Sequence, residues 1–210
     1  MSACVSKSIC RWTGHYMAVA RSCNYHSQAI RHLLSSELVV TLACSLILTR
    51  LDYCNSVLLY GAPASSIQVL QRVQNNAARI VLQAPRRSHA QALLRELHWL
   101  PIQHRIEYKV AVLTFKSRSS ATAPTYLSRH IKARVSERTL RLSAVSLLDK
   151  PFARTDFARW AFCCSAPAVW NSLRETIIST DSLSVFKSRL KTYFFWPATS
   201  TSEAKALGAL

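Results

Sequence analysis

At 210 residues, half of them hydrophobic, the chain is long enough to bury a real core as one or two small domains. Its 27 Lys and Arg stand against 10 Asp and Glu, for a net charge of +17, which points to a polyanionic partner, nucleic acid first and an anionic membrane surface second. The carboxylates are scattered singly, with no Asp-Asp or Asp-x-Asp, which excludes the clustered acidic site that a metal-dependent polymerase or nuclease requires.

Taken in chain order, residues 1–20 show no period and are expected to be poorly ordered. A helix is expected from about Arg21 to Leu34. Leu38 to Leu59 reads as a helix buried on most sides, because its apolar positions run nearly all round. Gly61 and Pro63 stop that pattern. Ser65 or Ser66 can cap the next helix, Ile67 to about Leu82, whose Leu70, Val73, Ala77 and Ile80 fall on one face. Gln83–Arg87 then forms a basic loop. A short helix follows from about Ser88 to His98, with His98 read as a packed or capping residue rather than a base.

Pro101 sits where a first-turn proline is tolerated, so a helix starts there with Ile102, Ile106, Val110 and Leu113 as its stripe. Pro124 opens another short helix. From Thr139 to Phe152 the period shortens toward two, which predicts a small β element near 139–155. Phe157 to Leu173 is helical again around Trp160, Phe162, Val169 and Trp170. Asp181 or Ser182 caps a last helix, with Leu183, Phe186, Leu190 and Phe194 on one face and Trp196-Pro197 at its end. The expected fold class is therefore mainly α, a helical bundle with that small β element. The expected organisation is a poorly ordered stretch 1–20, a helical region 21–135, a small α+β region 136–196 and a disordered tail 197–210.

Chemistry is sparse. Cys4, Cys10, Cys23, Cys44, Cys54, Cys163 and Cys164 contain no C-x-x-C pair, so neither a zinc site nor a disulfide framework is indicated. Free thiols fit a reducing intracellular compartment, nuclear or cytoplasmic. The apolar run Leu38–Leu48 is too short to span a bilayer. No phosphate-binding glycine loop and no nucleophile elbow occurs. Asp52, inside an apolar segment, reads as a structural hydrogen-bond acceptor. No cofactor, no metal and no catalytic residue is expected.

Binding chemistry is richer. Between Arg79 and Arg141 there are 13 Lys and Arg against Glu96, Glu107 and Glu137, a local surplus of ten. The candidate nucleic-acid-binding residues are Arg72, Arg79, Arg86 and Arg87 on one helix and its following loop, and Arg105 and Lys109 on the next long helix. Such side chains neutralise backbone phosphates without reading sequence. Trp99, Tyr108 and Tyr126 are able to stack on bases, although core packing is the better assignment for Trp99.

The strings LDYCNSVLLYGAP (51–63), LQRVQNNAARIVL (70–82), RELHWLPIQHRIEYKVAVLTFKS (95–117), APTYLS (123–128), APAVWNSL (166–173) and SLSVFKSRLKTYFF (182–195) follow one another in an order that carries information. Together they resemble the C-terminal part of reverse transcriptases of LINE-type, jockey-like non-LTR retrotransposons. The resemblance spans roughly residues 20–195. It implies the thumb and the segment beyond it, with the polymerase palm and the endonuclease lying upstream. It also implies non-catalytic contact with RNA or an RNA–DNA template–primer through helical, basic surfaces. The chain departs from the family where it has Ala121-Thr122-Ala123, Phe157–Phe162 and Arg174, positions at which turn glycines and a proline are usual. Two alternatives stay open: polymerase function inherited from a full-length element, or a translated relic with no selected role.

Overall fold

The computed structural model describes residues 2–32, 36–54, 60–119, 124–134 and 147–195. The protein is mainly helical, as the apolar periods predict. It packs as two compact units, Met1–Ile106 and Glu107–Leu210. The boundary falls within a helix. The division expected near residue 135 lies outside the described residues.

In the first unit, α1 spans Ser2–Ile30, so the helix begins well before the expected start near Arg21. Its core stripe explains why the period was hard to read. Tyr16, Ala20, Cys23, Ser27 and Ile30 are buried at helical spacing, but three of the five are small or polar. The Ser27 hydroxyl donates to the Cys23 carbonyl (2.8 Å), which satisfies it inside the stripe.

Three segments follow without a break: α2 (Ser36–Leu42), a π-helical stretch (Ala43–Leu48) and α3 (Thr49–Cys54). The wider π turn carries the Thr49 N–H to the Cys44 carbonyl, five residues back. Val39, Ala43, Ile47, Leu48 and Leu51 are thereby kept on the core side. Burial on most sides was expected here, yet Leu38, Val40 and Tyr53 are exposed. A run of apolar letters does not say how many faces its neighbours cover.

The helix α4 (Ala64–Val81) starts from Pro63, whose carbonyl accepts from the Ser66 and Ile67 N–H groups. Ser65 and Ser66 therefore lie in the first turn rather than at the cap, and Ser66 is buried. The buried face comprises Leu70, Val73, Gln74, Ala77, Ala78 and Val81. At its end the Ala84 N–H bonds to the Arg79 carbonyl (2.8 Å) and the Gln83 N–H to the Ile80 carbonyl (3.2 Å). This is a Schellman closure with Gln83 at the left-handed position, φ 51°. The short α5 (Ala90–Glu96) ends the same way. Trp99 N–H bonds to the Leu94 carbonyl and His98 N–H to the Arg95 carbonyl, with His98 at φ 55°. His98 thus closes the helix through its backbone, and the residue is exposed rather than packed.

A side chain other than glycine pays a steric cost in the left-handed region. Gln83→Gly should therefore raise stability by about 0.5 kcal/mol, read as a higher urea midpoint with an unchanged slope. A fall in the midpoint would show that the Gln83 side chain contributes more than its backbone costs.

Trp99 and Leu100 are buried just before α6 (Ile102–Ser119), and Trp99, Ile102 and Ile106 join the core of the first unit. In the second unit, Val110, Ala111 and Phe115 of α6 are buried. So are Val169 and Trp170 of α9 (Phe162–Ser172) and Phe186, Leu190 and Phe194 of α11 (Leu183–Phe195). The short helices α7 (Thr125–Ser128), α8 (Asp156–Trp160) and α10 (Glu175–Ile178) complete it. The helix expected over 157–173 is split because Ala161 adopts an extended conformation (φ −59°, ψ 148°) between α8 and α9. At the start of α11 the Phe186 N–H donates to the Ser182 carbonyl (2.9 Å).

The β element expected near 139–155 is not present as a strand among the described residues, and residues 139–146 of that region lie outside them. What is described is an isolated antiparallel bridge, Ala133 to Leu148. Asn171 reinforces it: its side chain accepts the Leu148 N–H and donates to the Leu148 carbonyl, both at 2.9 Å. The disordered tail expected at 197–210 also lies outside the described residues.

Candidate nucleic-acid interface

The polar faces of α1 and α4 have matching spacing. On α1, Asn24, Gln28 and Arg31 recur at i, i+4 and i+7, with Arg31 just past the last turn; on α4, Arg72, Asn76 and Arg79 recur at i, i+4 and i+7, and Gln83 follows in the closure past its end. These intervals return to one side of a helix. The buried faces of both helices meet in one core. Residues of both also line a cleft of about 830 Å³, with Asn24, Ser27, Gln28 and Arg31 on one side and Asn76, Arg79, Ile80, Gln83, Ala84 and Arg86 on the other. No carboxylate is among these lining residues.

Arg79 is held at the cleft by two hydrogen bonds. Nη1 donates to Asn76 Oδ1 (3.2 Å) and Nη2 to the Ser88 carbonyl (3.4 Å), while Nε is buried without a hydrogen-bond partner. Arg86 and Arg87 are exposed in the loop after α4, and Arg72 is exposed two turns before Arg79, about 10 Å away along the axis.

Arg105 belongs to a different arrangement. Its Nη2 lies 2.9 Å from Asp52 Oδ1 and 3.0 Å from Oδ2, with hydrogen-bond geometry to Oδ2. The Arg105 side chain is only 16% exposed. Its charge is offset by a carboxylate that the sequence identifies as a structural acceptor. Lys109 lies one turn further along α6, half-buried and beyond the packing boundary. The structure therefore brings Arg79 and Arg86 together at the cleft, with Arg72 and Arg87 exposed on the same helix and loop. Arg105 and Lys109 are not among the cleft's lining residues.

Arg31 lies outside the local charge surplus between Arg79 and Arg141. Its signal was present as the Asn24-x-x-x-Gln28-x-x-Arg31 stripe, but a polar stripe is ordinary on a solvent-facing helix, and only its position opposite α4 gives it meaning. Trp99 is buried in the core, as its hydrophobic setting predicts. Tyr108 is half-buried and burial pushes its phenol pKa up, so it stays a neutral packing group. Tyr126 is 65% exposed.

In the second unit the Arg118 guanidinium sits 4.8 Å from the Trp170 ring centroid, and burial lowers its pKa. Cys23, Cys44, Cys163 and Cys164 are free thiols. Burial, then the contact with Cys163, raises the Cys164 pKa, which favours the unreactive thiol. Among the described residues no three metal-ligating side chains come together. No helix among them is long and apolar enough to cross a membrane. Comparison with family models, curated proteins and solved structures finds no match for this chain.

Proposed function

We propose that the chain is a non-catalytic nucleic-acid-binding segment of the kind found at the C-terminal end of a LINE-type reverse transcriptase. The observation that carries this reading is the cleft between α1 and α4, whose lining includes three arginines and no carboxylate. The ordered motifs of the sequence support the retroelement relationship. The chain's +17 charge supports a polyanionic partner.

Arg72, Arg79, Arg86, Arg87 and Arg31 are the residues assigned to phosphate contact; Arg105 is left out because Asp52 already offsets its charge. Contact with about five phosphates of a single strand gives a log–log slope of binding against salt of about −3.5. A salt titration of RNA and DNA binding measures it. Absence of binding at low salt would overturn the proposal. Primer extension by the purified chain should show no incorporation above background.

A further inference from the structure

The cleft differs from a plain basic surface in what else lines it. Asn24 and Gln28 approach from α1, and Asn76 and Gln83 from α4 and its closure. Bare phosphate calls for donors only, whereas side-chain amides supply both donors and acceptors. That mixture suits the edges of unpaired bases, which a duplex keeps paired and stacked. Size points the same way. A cleft of about 830 Å³ has the dimensions of a small-ligand pocket and can take in unpaired nucleotides, while a double helix can only touch its rim.

One effect opposes anion binding. Both α1 and α4 end at this cleft, and each helix C-terminus carries roughly half a negative charge. Three full guanidinium charges outweigh those two ends about threefold. The last carbonyls of α4 are also engaged by the Gln83 and Ala84 N–H groups. Arg79 is already held in place through Asn76 and Ser88.

We infer that the cleft between α1 and α4 binds single-stranded nucleic acid, with Arg31, Arg79 and Arg86 on backbone phosphates and the amides of Asn24, Gln28, Asn76 and Gln83 on unpaired bases. This assignment rests on the nucleic-acid reading above and narrows it to one form of the polymer.

The test is a fluorescence-anisotropy titration of the full chain with labelled single strands of about 12 nucleotides, RNA and DNA, and with a duplex of equal length. Single strands should bind about tenfold more tightly than the duplex. Arg31→Gln and Asn24→Ala change exposed side chains, so the fold is retained, which circular dichroism checks. Each should weaken single-strand binding about fivefold and leave duplex binding within twofold, the loss of one charge-assisted or polar contact. Arg87→Gln, an exposed residue outside the cleft lining, should weaken both forms alike. Equal affinity for duplex and single strand, or an Arg31→Gln effect common to both, would overturn the single-strand assignment while nucleic-acid binding stands. No binding of any strand at low salt would overturn both.

Discussion

Replacing Phe186 by alanine should lower the stability of the protein by about 3–5 kcal/mol. Phe186 is fully buried. Its ring stacks on Phe115 at 4.4 Å between centroids and an interplanar angle of 25°, and on Trp170 at 5.8 Å and 22°. Phe115 and Trp170 are themselves 6.5 Å apart. One ring thus joins α6, α9 and α11, and its loss removes contacts from all three helices at once. The cost has two parts, the lost transfer of a large apolar group and a cavity whose aromatic walls cannot collapse freely. Phe186→Leu keeps most of the volume and should cost about 1–1.5 kcal/mol. Val185→Ala, at a position 40% exposed, should stay within about 0.5 kcal/mol. Urea unfolding followed by tryptophan fluorescence reports all three. A Phe186→Ala variant as stable as the parent would refute this packing.

Gln74→Leu should cost about 2–3 kcal/mol although it exchanges a buried polar side chain for an apolar one of similar size. Gln74 is fully buried on α4. Its Nε2 donates to the Leu100 carbonyl (2.9 Å), and its Oε1 accepts from Gln71 Nε2 (3.1 Å). Gln71 Nε2 also reaches Asn75 Oδ1 (2.8 Å), while Gln71 Oε1 accepts the Ile102 N–H (2.9 Å), a first-turn donor of α6. Two glutamines on α4 therefore hold the Leu100–Pro101–Ile102 entry to α6. Removing one leaves the Leu100 carbonyl and part of the Gln71 amide without partners in a site that excludes water. An unsatisfied buried group costs about 1–3 kcal/mol, more than the burial of the leucine carbons returns. The check is the same unfolding series, with hydrogen exchange at Ile102 as a local readout. A neutral Gln74→Leu with unchanged protection at Ile102 would show the network to be dispensable.

These two predictions differ in how much of each was legible beforehand. Leu183, Phe186, Leu190 and Phe194 read as one face because their spacing follows the helical period, and α11 buries Phe186, Leu190 and Phe194. The Gln71–Gln74 network was not legible. Glutamine is ordinary on an exposed helix face, and its burial depends on a chain reversal that brings residue 100 back beside residue 74. The long helices α4 and α6 were recognisable from period and proline placement. The early start of α1 was hidden by a stripe built partly from Ala20, Cys23 and Ser27. The split at Ala161 and the bridge at Leu148 depend on backbone angles and on Asn171, which no two-residue period encodes.

The candidate interface divides in the same way. Arg72, Arg79, Arg86 and Arg87 were identifiable as a basic helix and loop, because local charge is a property of the letters. That Arg105 is offset by Asp52, 53 positions earlier, was not, because an ion pair depends on which helices pack together. Nor was the role of Arg31, which acquires a partner wall only when α1 and α4 share a core. By itself the sequence determined the mainly helical class and the basic character, which follow from short-range periodicity and composition. The tertiary structure alone decided which cations converge on a cleft and which are neutralised, because convergence depends on helix packing and not on spacing along the chain.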